Sequence, residues 1–239
     1  MLTTEDGLLN GRLRYQQPAT GFRSGIEPVF LAASVPAREG ERVLEAGTGA
    51  GAALLCLHAR VAGLESLAIE LDPEMAALAR ANAAANGFDA MQVLTGDLLS
   101  ADLPDGFDHA IANPPYHPAG SASPLPARET AKRGDAALIR AWVLRMAATL
   151  RPRGTLTLIL SAGFLPSCLS AMTEADCACS VLYPIWPRAE RDSKLVLARG
   201  VKGSAAPLRL SAGLILHLSD GRYTDTAQDI LRKGLALVL

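Results

Sequence analysis

ERVLEAGTGAG, residues 41–51, decides the fold. Its first half, ERVLEAG (41–47), is a short apolar run suited to a buried strand. Its second half places glycines at 47, 49 and 51, and GAALLCLHARVAG (51–63) reads on as an apolar helix closed by Gly63. A strand that passes through a glycine turn into a helix opens a βαβ unit. The three glycines let the backbone turn tightly and approach a ligand, because no Cβ stands in the way.

The same alternation continues outward. ESLAIELD (65–72) is a second strand, and PEMAALARANAAANG (73–87) a helix with Pro73 at its first position and Gly87 at its end, the asymmetry expected of helix termini. AMQVLTGD (90–97) and FDHAIANPP (107–115) are further strands, LIRAWVLRMAATL (138–150) is an amphipathic helix, and TLTLIL (155–160) is the fifth strand. Continuous apolar strands alternating with helices specify an α/β fold, a parallel sheet covered on both faces. Ligands in such sheets sit outside the carboxyl ends of the strands. The tail differs: CSVLYPIW, SKLVLARG and LRLSAGLILHLSDGRYT are closely spaced strand-like runs that predict an antiparallel edge. PPYHPAGSASPLPARETAKRG, with five prolines, reads as a long loop before the helix at 138. No repeat or linker interrupts the chain. We expect one domain over 1–239, with a cap segment (1–40), a cofactor-binding core (41–160) and a C-terminal part (161–239).

Composition narrows the class. Of 239 residues, 49% are hydrophobic and 20% charged, which excludes a disordered chain and a coiled-coil or collagen pattern. Four cysteines without paired spacing suit a reducing, cytoplasmic compartment rather than a disulfide framework. MLTTEDGLLN lacks the basic start and apolar core of a signal peptide. Thr155 to Thr173 is uncharged but broken by Gly163, Pro166 and several hydroxyls, so it reads as strand, turn and helix, and the chain as soluble. Net charge is −1, yet residues 1–127 carry 7 Lys+Arg against 15 Asp+Glu, and residues 128–239 carry 16 against 9. That asymmetry, −8 against +7, can build one positive face.

Glu70 ends the second strand, 19 residues past Gly51. A carboxylate there can accept hydrogen bonds from both hydroxyls of a ribose. The glycine order is GxGxG, preceded by Glu45, rather than GxGxxG. A carboxylate beside the loop repels a pyrophosphate and suits a ligand with an ammonium and a sulfonium charge, which points to S-adenosylmethionine. Glu45, Ala46, Gly47, Thr48, Gly49 and Gly51 are the candidate loop. Asp97 in GDLL (96–99) is placed to accept from an adenine amino group, with Leu71 and Leu98 as apolar walls.

Asn113-Pro114-Pro115-Tyr116 ends the fourth strand. A conjugated amine is a poor nucleophile because its lone pair is delocalised. The Asn113 side-chain oxygen and the Pro114 carbonyl can both accept from such an NH₂, aim its lone pair and stabilise the charge developing on nitrogen. The prolines fix the backbone, and Tyr116 offers a face for an unstacked base, worth about 1–3 kcal/mol. No metal is required. Cys177 and Cys179 read as buried thiols, His58 and Trp142 as core, and His117 as loop surface.

Together EAGTGAG, IELD, GDLL and IANPPY resemble class I S-adenosylmethionine-dependent methyltransferases with the N-methylating NPPY signature. GFRSGIEPVFLAA and the spacing through AWVLRMAATLRPRGTLTLIL to KLVLARGVKG and LILHLSDGRYT resemble, more narrowly, bacterial tRNA (valine) adenine-N6-methyltransferases, over roughly residues 10–237. The resemblance implies a Rossmann-like, seven-stranded, mostly parallel sheet with an antiparallel edge strand and helices on both faces. It also implies S-adenosylmethionine as cofactor, with Asn113 among its contacts, Asn113, Pro114 and Tyr116 as the target-amine site, and tRNA as partner. The chain departs from that family at Ile26-Glu27, where Thr-Asp is usual. RNA contacts are expected from Arg128, Lys132, Arg133, Arg140, Arg145, Arg151 and Arg153, and from Arg188, Arg191, Lys194, Arg199, Lys202 and Arg209, with no membrane partner. Three rival readings are a protein-glutamine methyltransferase, which uses the same NPPY chemistry but resembles a longer chain with a preceding helical domain, another amino-methyltransferase acting on rRNA or DNA, and a non-catalytic cofactor-binding protein.

Overall fold

The computed structural model describes residues 2–20, 23–115 and 125–239. An antiparallel hairpin, β1 (Thr3–Leu8) and β2 (Leu13–Pro18), turns through left-handed Leu9, Asn10 and Gly11 and leads to α1 (Glu27–Ser34). Then follow β3 (Arg42–Ala46), α2 (Ala52–Arg60), β4 (Glu65–Glu70), α3 (Pro73–Ala85), β5 (Met91–Thr95) and β6 (Phe107–Ala112). The second half contains α4 (Leu125–Ala148), β7 (Leu150–Ser161), a 3₁₀ turn (Ala162–Phe164), α5 (Leu165–Glu174), β8 (Cys179–Trp186) and β9 (Leu195–Val201). Two-residue strands β10 (Arg209–Leu210) and β11 (Leu214–Ile215) and helix α6 (Asp225–Lys233) complete it.

Seven longer strands lie in the order β8-β9-β7-β6-β3-β4-β5, and β10 and β11 both pair with β8, making nine. All neighbours are parallel except β9, which is antiparallel to β7 and to β8. The antiparallel strand is therefore inside the sheet, not at its edge as the tail suggested. The chain crosses over through α5 to lay β8 parallel to β7 with one slot between them. The connection from Trp186 to Leu195 is too short for another crossover, so the chain turns back into that slot and satisfies both of its ladder edges. LRLSAGLILHLSDGRYT supplies only the two short parallel strands and an antiparallel bridge from His217 to Tyr223.

A second correction concerns the long loop. Helix α4 starts at Leu125, not 138. ARETAKR is rich in helix formers, Pro126 is tolerated in a first turn, and Gly134 costs only about 1 kcal/mol.

Alternate side chains along each central strand enter opposite cores. Val43, Ile111 and Ile159 join the layer of α1, α2 and the hairpin, with Phe30, Leu54 and Leu57. Leu44, Ala110 and Leu158 join the layer of α4 and α5, with Ile139, Val143 and Met146. This two-residue period covers the sheet on both faces. Two arginines close the carbonyl end of α1: Arg60 donates to Val35 O (2.6 Å) and Ala32 O (3.1 Å), and Arg199 donates to Ser34 O. Among the described residues no helix is long and apolar enough to cross a membrane.

Gly200 sits mid-β9, where a Cβ would collide with the Cys177 carbonyl. The ladders on either side prevent β9 from yielding. Gly200→Ala should therefore cost about 1–3 kcal/mol in urea denaturation, whereas Gly163→Ala, into open space, should stay within about 0.5 kcal/mol of the parent.

Candidate active site

The register of three parallel ladders levels the strand ends. Ala46 lies opposite Ile69 on β4 and opposite Ala112 on β6, and Glu70 lies opposite Thr95 on β5. Gly47, Glu70, Gly96-Asp97 and Asn113 consequently stand in one row at the carboxyl edge. The sheet order reverses between β3 and β6, and this is the crevice where ligands of open α/β sheets bind.

Each part of the row is held locally. Gly47 N–H donates to Ile69 O (2.8 Å) and Gly51 N–H to Thr48 O (2.9 Å), while Gly47, Gly49 and Gly51 have φ of 64°, 58° and 91°. Glu70 accepts from Gly49 N–H through Oε2 (2.7 Å) and from Asp72 N–H through Oε1 (3.0 Å). Each oxygen keeps a further acceptor position, since a carboxylate offers roughly four. Asp97 accepts from Leu99 N–H (3.0 Å) and ties its own turn.

Glu45 behaves differently. It is 3% exposed, accepts from the Thr48 hydroxyl (2.6 Å) and from Leu54 N–H, and braces the loop from behind. Burial pushes its carboxyl up to about 8, with Glu70 adding to the rise and the two hydrogen bonds opposing it.

A cavity of about 820 Å³ opens over the row, within the usual range for small-molecule sites. Of the sequence candidates, Gly47, Gly49, Glu70, Leu71, Asp97, Leu98, Asn113 and Pro114 line it. Glu45, Ala46, Thr48 and Gly51 shape the loop without lining the cavity, and Tyr116 and His117 lie outside the described residues. Sequence reasoning missed Pro18, Thr20 and Arg23 from the hairpin side, Met75 from α3 and Leu138 from α4. Asn10-Gly11 followed by the alternation Leu13, Tyr15, Gln17 was a readable hairpin signal. Glu27, singled out as a departure, lines the cavity at the start of α1. Trp142, expected in the core, is half-buried on the cavity wall, and a Cβ on Gly47 would come 2.6 Å from its ring. His58 is a core residue bonded to Ser66 (2.8 Å) and stacked on Phe88. The four cysteines are free and buried, and no group of metal-ligating residues occurs among the described residues.

Five of the ten expected RNA-contacting basic residues with described side chains, Arg199 at the end of α1 among them, serve the fold. Arg140 pairs with Glu174, Arg151 with Asp108 (2.5 Å), Arg145 donates to Leu98 O and Ala101 O, and Lys202 to Ala175 O. The side chains of Arg128, Lys132 and Arg133 lie outside the described part. Arg153 and Arg209 are exposed toward the opposite end of the sheet. Arg188, Arg191 and Lys194 are exposed on the β8–β9 connection, which meets the end of β7 through Ala162 N–H to Lys194 O (2.9 Å). They share the cavity's edge of the sheet.

Two outcomes follow from this geometry. Because the Glu45 carboxyl is held above its unfolded value, its contribution to stability is full below the usual carboxylate range and is lost as pH rises through about 8. From about pH 6 to about pH 9 the melting temperature of the parent should fall more than that of Glu45→Gln, which cannot ionise. Gly47→Ala, with φ of 64° and the Trp142 ring in the way, should lose cofactor binding in calorimetry.

The comparisons agree with this geometry. The family model described as "Methyltransferase small domain" matches residues 28–164. The tRNA1(Val) (adenine(37)-N6)-methyltransferase of Aeromonas hydrophila is 27% identical over 206 residues, 85% of this chain and 86% of that protein. The release factor glutamine methyltransferase of Deinococcus radiodurans is 45% identical over 80 residues, 34% of this chain and 28% of that one. A solved structure from Agrobacterium tumefaciens, described as a predicted O-methyltransferase, superposes with a TM-score of 0.73 at 26% identity, covering 89% of this chain and 99% of that chain. The chain belongs to the methyltransferase small domain family and is an S-adenosylmethionine-dependent methyltransferase.

Proposed function

We propose that the chain methylates the N6 amino group of an adenine in tRNA. The observation that carries this is the adjacency of Asn113 to the glycine loop, one strand apart through the Ala46–Ala112 pairing. The relative from Aeromonas hydrophila, named for that reaction, spans most of both chains and supports the substrate class.

The cavity suits S-adenosylmethionine on three counts. The glycine loop offers bare backbone where a Cβ would clash, Glu70 has acceptor positions left for ribose hydroxyls, and Glu27, Glu70, Asp72 and Asp97 make the lining acidic. An acidic wall favours a ligand with ammonium and sulfonium charges over a pyrophosphate. Among the described residues Arg23 supplies the lining's positive charge, held by Asp6 (2.9 Å) and Pro18 O (2.9 Å), and would face the ligand's carboxylate. Asp97 would accept from the cofactor's adenine amino group, between Leu71 and Leu98. Bound there, the cofactor supplies an electrophilic methyl group.

The remaining work belongs to the protein. Asn113 Oδ1 and the Pro114 carbonyl accept the two hydrogens of the target amine, holding its lone pair toward the methyl donor. They also stabilise positive charge as it develops on nitrogen, and the proton departs to solvent after transfer. The Pro114-Pro115 pair limits backbone motion at the carbonyl, and Tyr116 is assigned the stacking face for the flipped base. We read 1–239 as one cytoplasmic catalytic domain, with Arg188, Arg191 and Lys194 at the active edge as the phosphate contacts.

Incubation with total tRNA and labelled cofactor, then digestion to nucleosides, should yield N6-methyladenosine. Label in a release factor instead would favour the glutamine reading suggested by the relative from Deinococcus radiodurans. Asn113→Ala should lower turnover by about 10²-fold or more while cofactor affinity holds. Replacing Arg188, Arg191 and Lys194 with alanine should reduce the steepness with which RNA affinity falls in salt by about two to three in log–log slope. An unchanged slope would remove those residues from the interface.

A further inference from the structure

The free edge of the N-terminal hairpin is closed by side chains rather than by a strand. Along β2, Leu13, Tyr15 and Gln17 alternate with Arg14 and Gln16, whose main-chain groups point away from β1 toward α3. Helix α3 and its C-cap answer them with two asparagines one turn apart, Asn82 and Asn86. Asn82 Oδ1 accepts from Gln16 N–H and its Nδ2 donates to Gln16 O, both at 2.8 Å. Asn86 Oδ1 accepts from Arg14 N–H (3.0 Å) and its Nδ2 donates to Arg14 O (2.7 Å). Each carboxamide thus presents the acceptor and donor pair that a neighbouring strand would offer.

The two asparagines differ in their remaining N–H. That of Asn86 caps the end of α3, on Asn82 O (2.8 Å). That of Asn82 crosses to the carbonyl of Ala50 (2.9 Å), between Gly49 and Gly51 of the cofactor loop. Asn82 is 1% exposed and Ala50 2%. Ala50 stands just ahead of α2, and its carbonyl takes the Asn82 amide as a donor. A single buried amide therefore holds both walls of the cavity, the glycine loop on one side and the hairpin on the other. The hairpin side contributes Pro18 and Thr20, and Arg23 through its bond to Pro18 O.

We propose that Asn82 is a positioning residue that couples the N-terminal hairpin to the cofactor loop, so that cofactor affinity depends on hairpin order through the Asn82–Ala50 hydrogen bond. The proposal rests on the cavity being the cofactor site. Asn82 touches neither substrate nor cofactor; it sets the distance between two walls that do. Coupling of this kind is reciprocal: if hairpin order strengthens cofactor binding, cofactor binding must stabilise the hairpin by the same factor.

The test compares Asn82→Ala with Asn86→Ala in the full chain. Both lose two hydrogen bonds to β2, and only the first loses the bond to Ala50. Calorimetry with S-adenosylhomocysteine should show the Kd rising about tenfold or more for Asn82→Ala and less than about threefold for Asn86→Ala. At saturating cofactor, kcat should stay within about threefold of the parent while KM for the cofactor rises, the mark of lost binding rather than lost chemistry. In the parent, amide exchange at Arg14 and Gln16 should slow when S-adenosylhomocysteine is added, which needs no variant to fold. Equal loss of affinity in the two variants, unchanged affinity in Asn82→Ala, or exchange at Gln16 indifferent to the ligand would each overturn the coupling. Failure of the parent to bind S-adenosylhomocysteine at all would instead overturn the cofactor reading itself.

Discussion

Ala46 pairs with Ile69 on one side and Ala112 on the other, and the site depends on that double register. Parallel pairing brings strand ends from distant parts of the sequence to one level. It sets the glycine loop, the Glu70 carboxylate, Asp97 and Asn113 along one edge. A shift of one residue in β6 would move Asn113 along the edge and also exchange the faces of Ala110, Ile111 and Ala112, each committed to one of two cores. Burial on both faces thus protects the geometry of a site that is itself solvent-accessible.

Environment then divides the acidic residues into roles. Glu45 and Glu70 follow the same parallel ladder on neighbouring strands. Glu45 is enclosed, accepts from Thr48 and Leu54, and is pushed up to about 8 by burial. Glu70 is half-buried at the cavity, tied to the backbone of Gly49 and Asp72 with acceptor capacity to spare. One carboxyl shapes the loop and the other faces the cavity. The basic residues divide in a similar way. Arg60, Arg140, Arg145, Arg151 and Arg199 complete helix ends, carbonyl groups or ion pairs of the fold, leaving a short cationic stretch at the active edge.

How much of this was legible follows from where the information lies. Between 41 and 115, apolar runs, glycines and helix-end residues are local signals, and the elements appear where those signals place them. The row formed by Gly47, Glu70, Asp97 and Asn113 was legible because a parallel α/β sheet levels its strand ends. The interior position of β9 was not, since it reflects a slot left by a crossover rather than any pattern in SKLVLARG. Nor was the inward turn of Glu45 visible, because Thr48 and Leu54 N–H capture it only once the loop has formed. Trp142 reads as a core residue on an amphipathic helix; only the missing Cβ of Gly47 lets its ring reach the cavity wall. The hairpin wall depends on Asn82 and Asn86, which look like ordinary polar positions of a helix until β2 is laid beside them.

The central claim is that one edge of the sheet holds a methyl donor on the β3 and β4 side and a target amine on the β6 side. A crystal structure of the chain with S-adenosylhomocysteine tests it most directly. The account predicts ribose hydroxyls on the Glu70 carboxylate, the adenine between Leu71 and Leu98, and the sulfur turned toward Asn113. A ligand bound elsewhere, or one whose sulfur points away from Asn113, would contradict it.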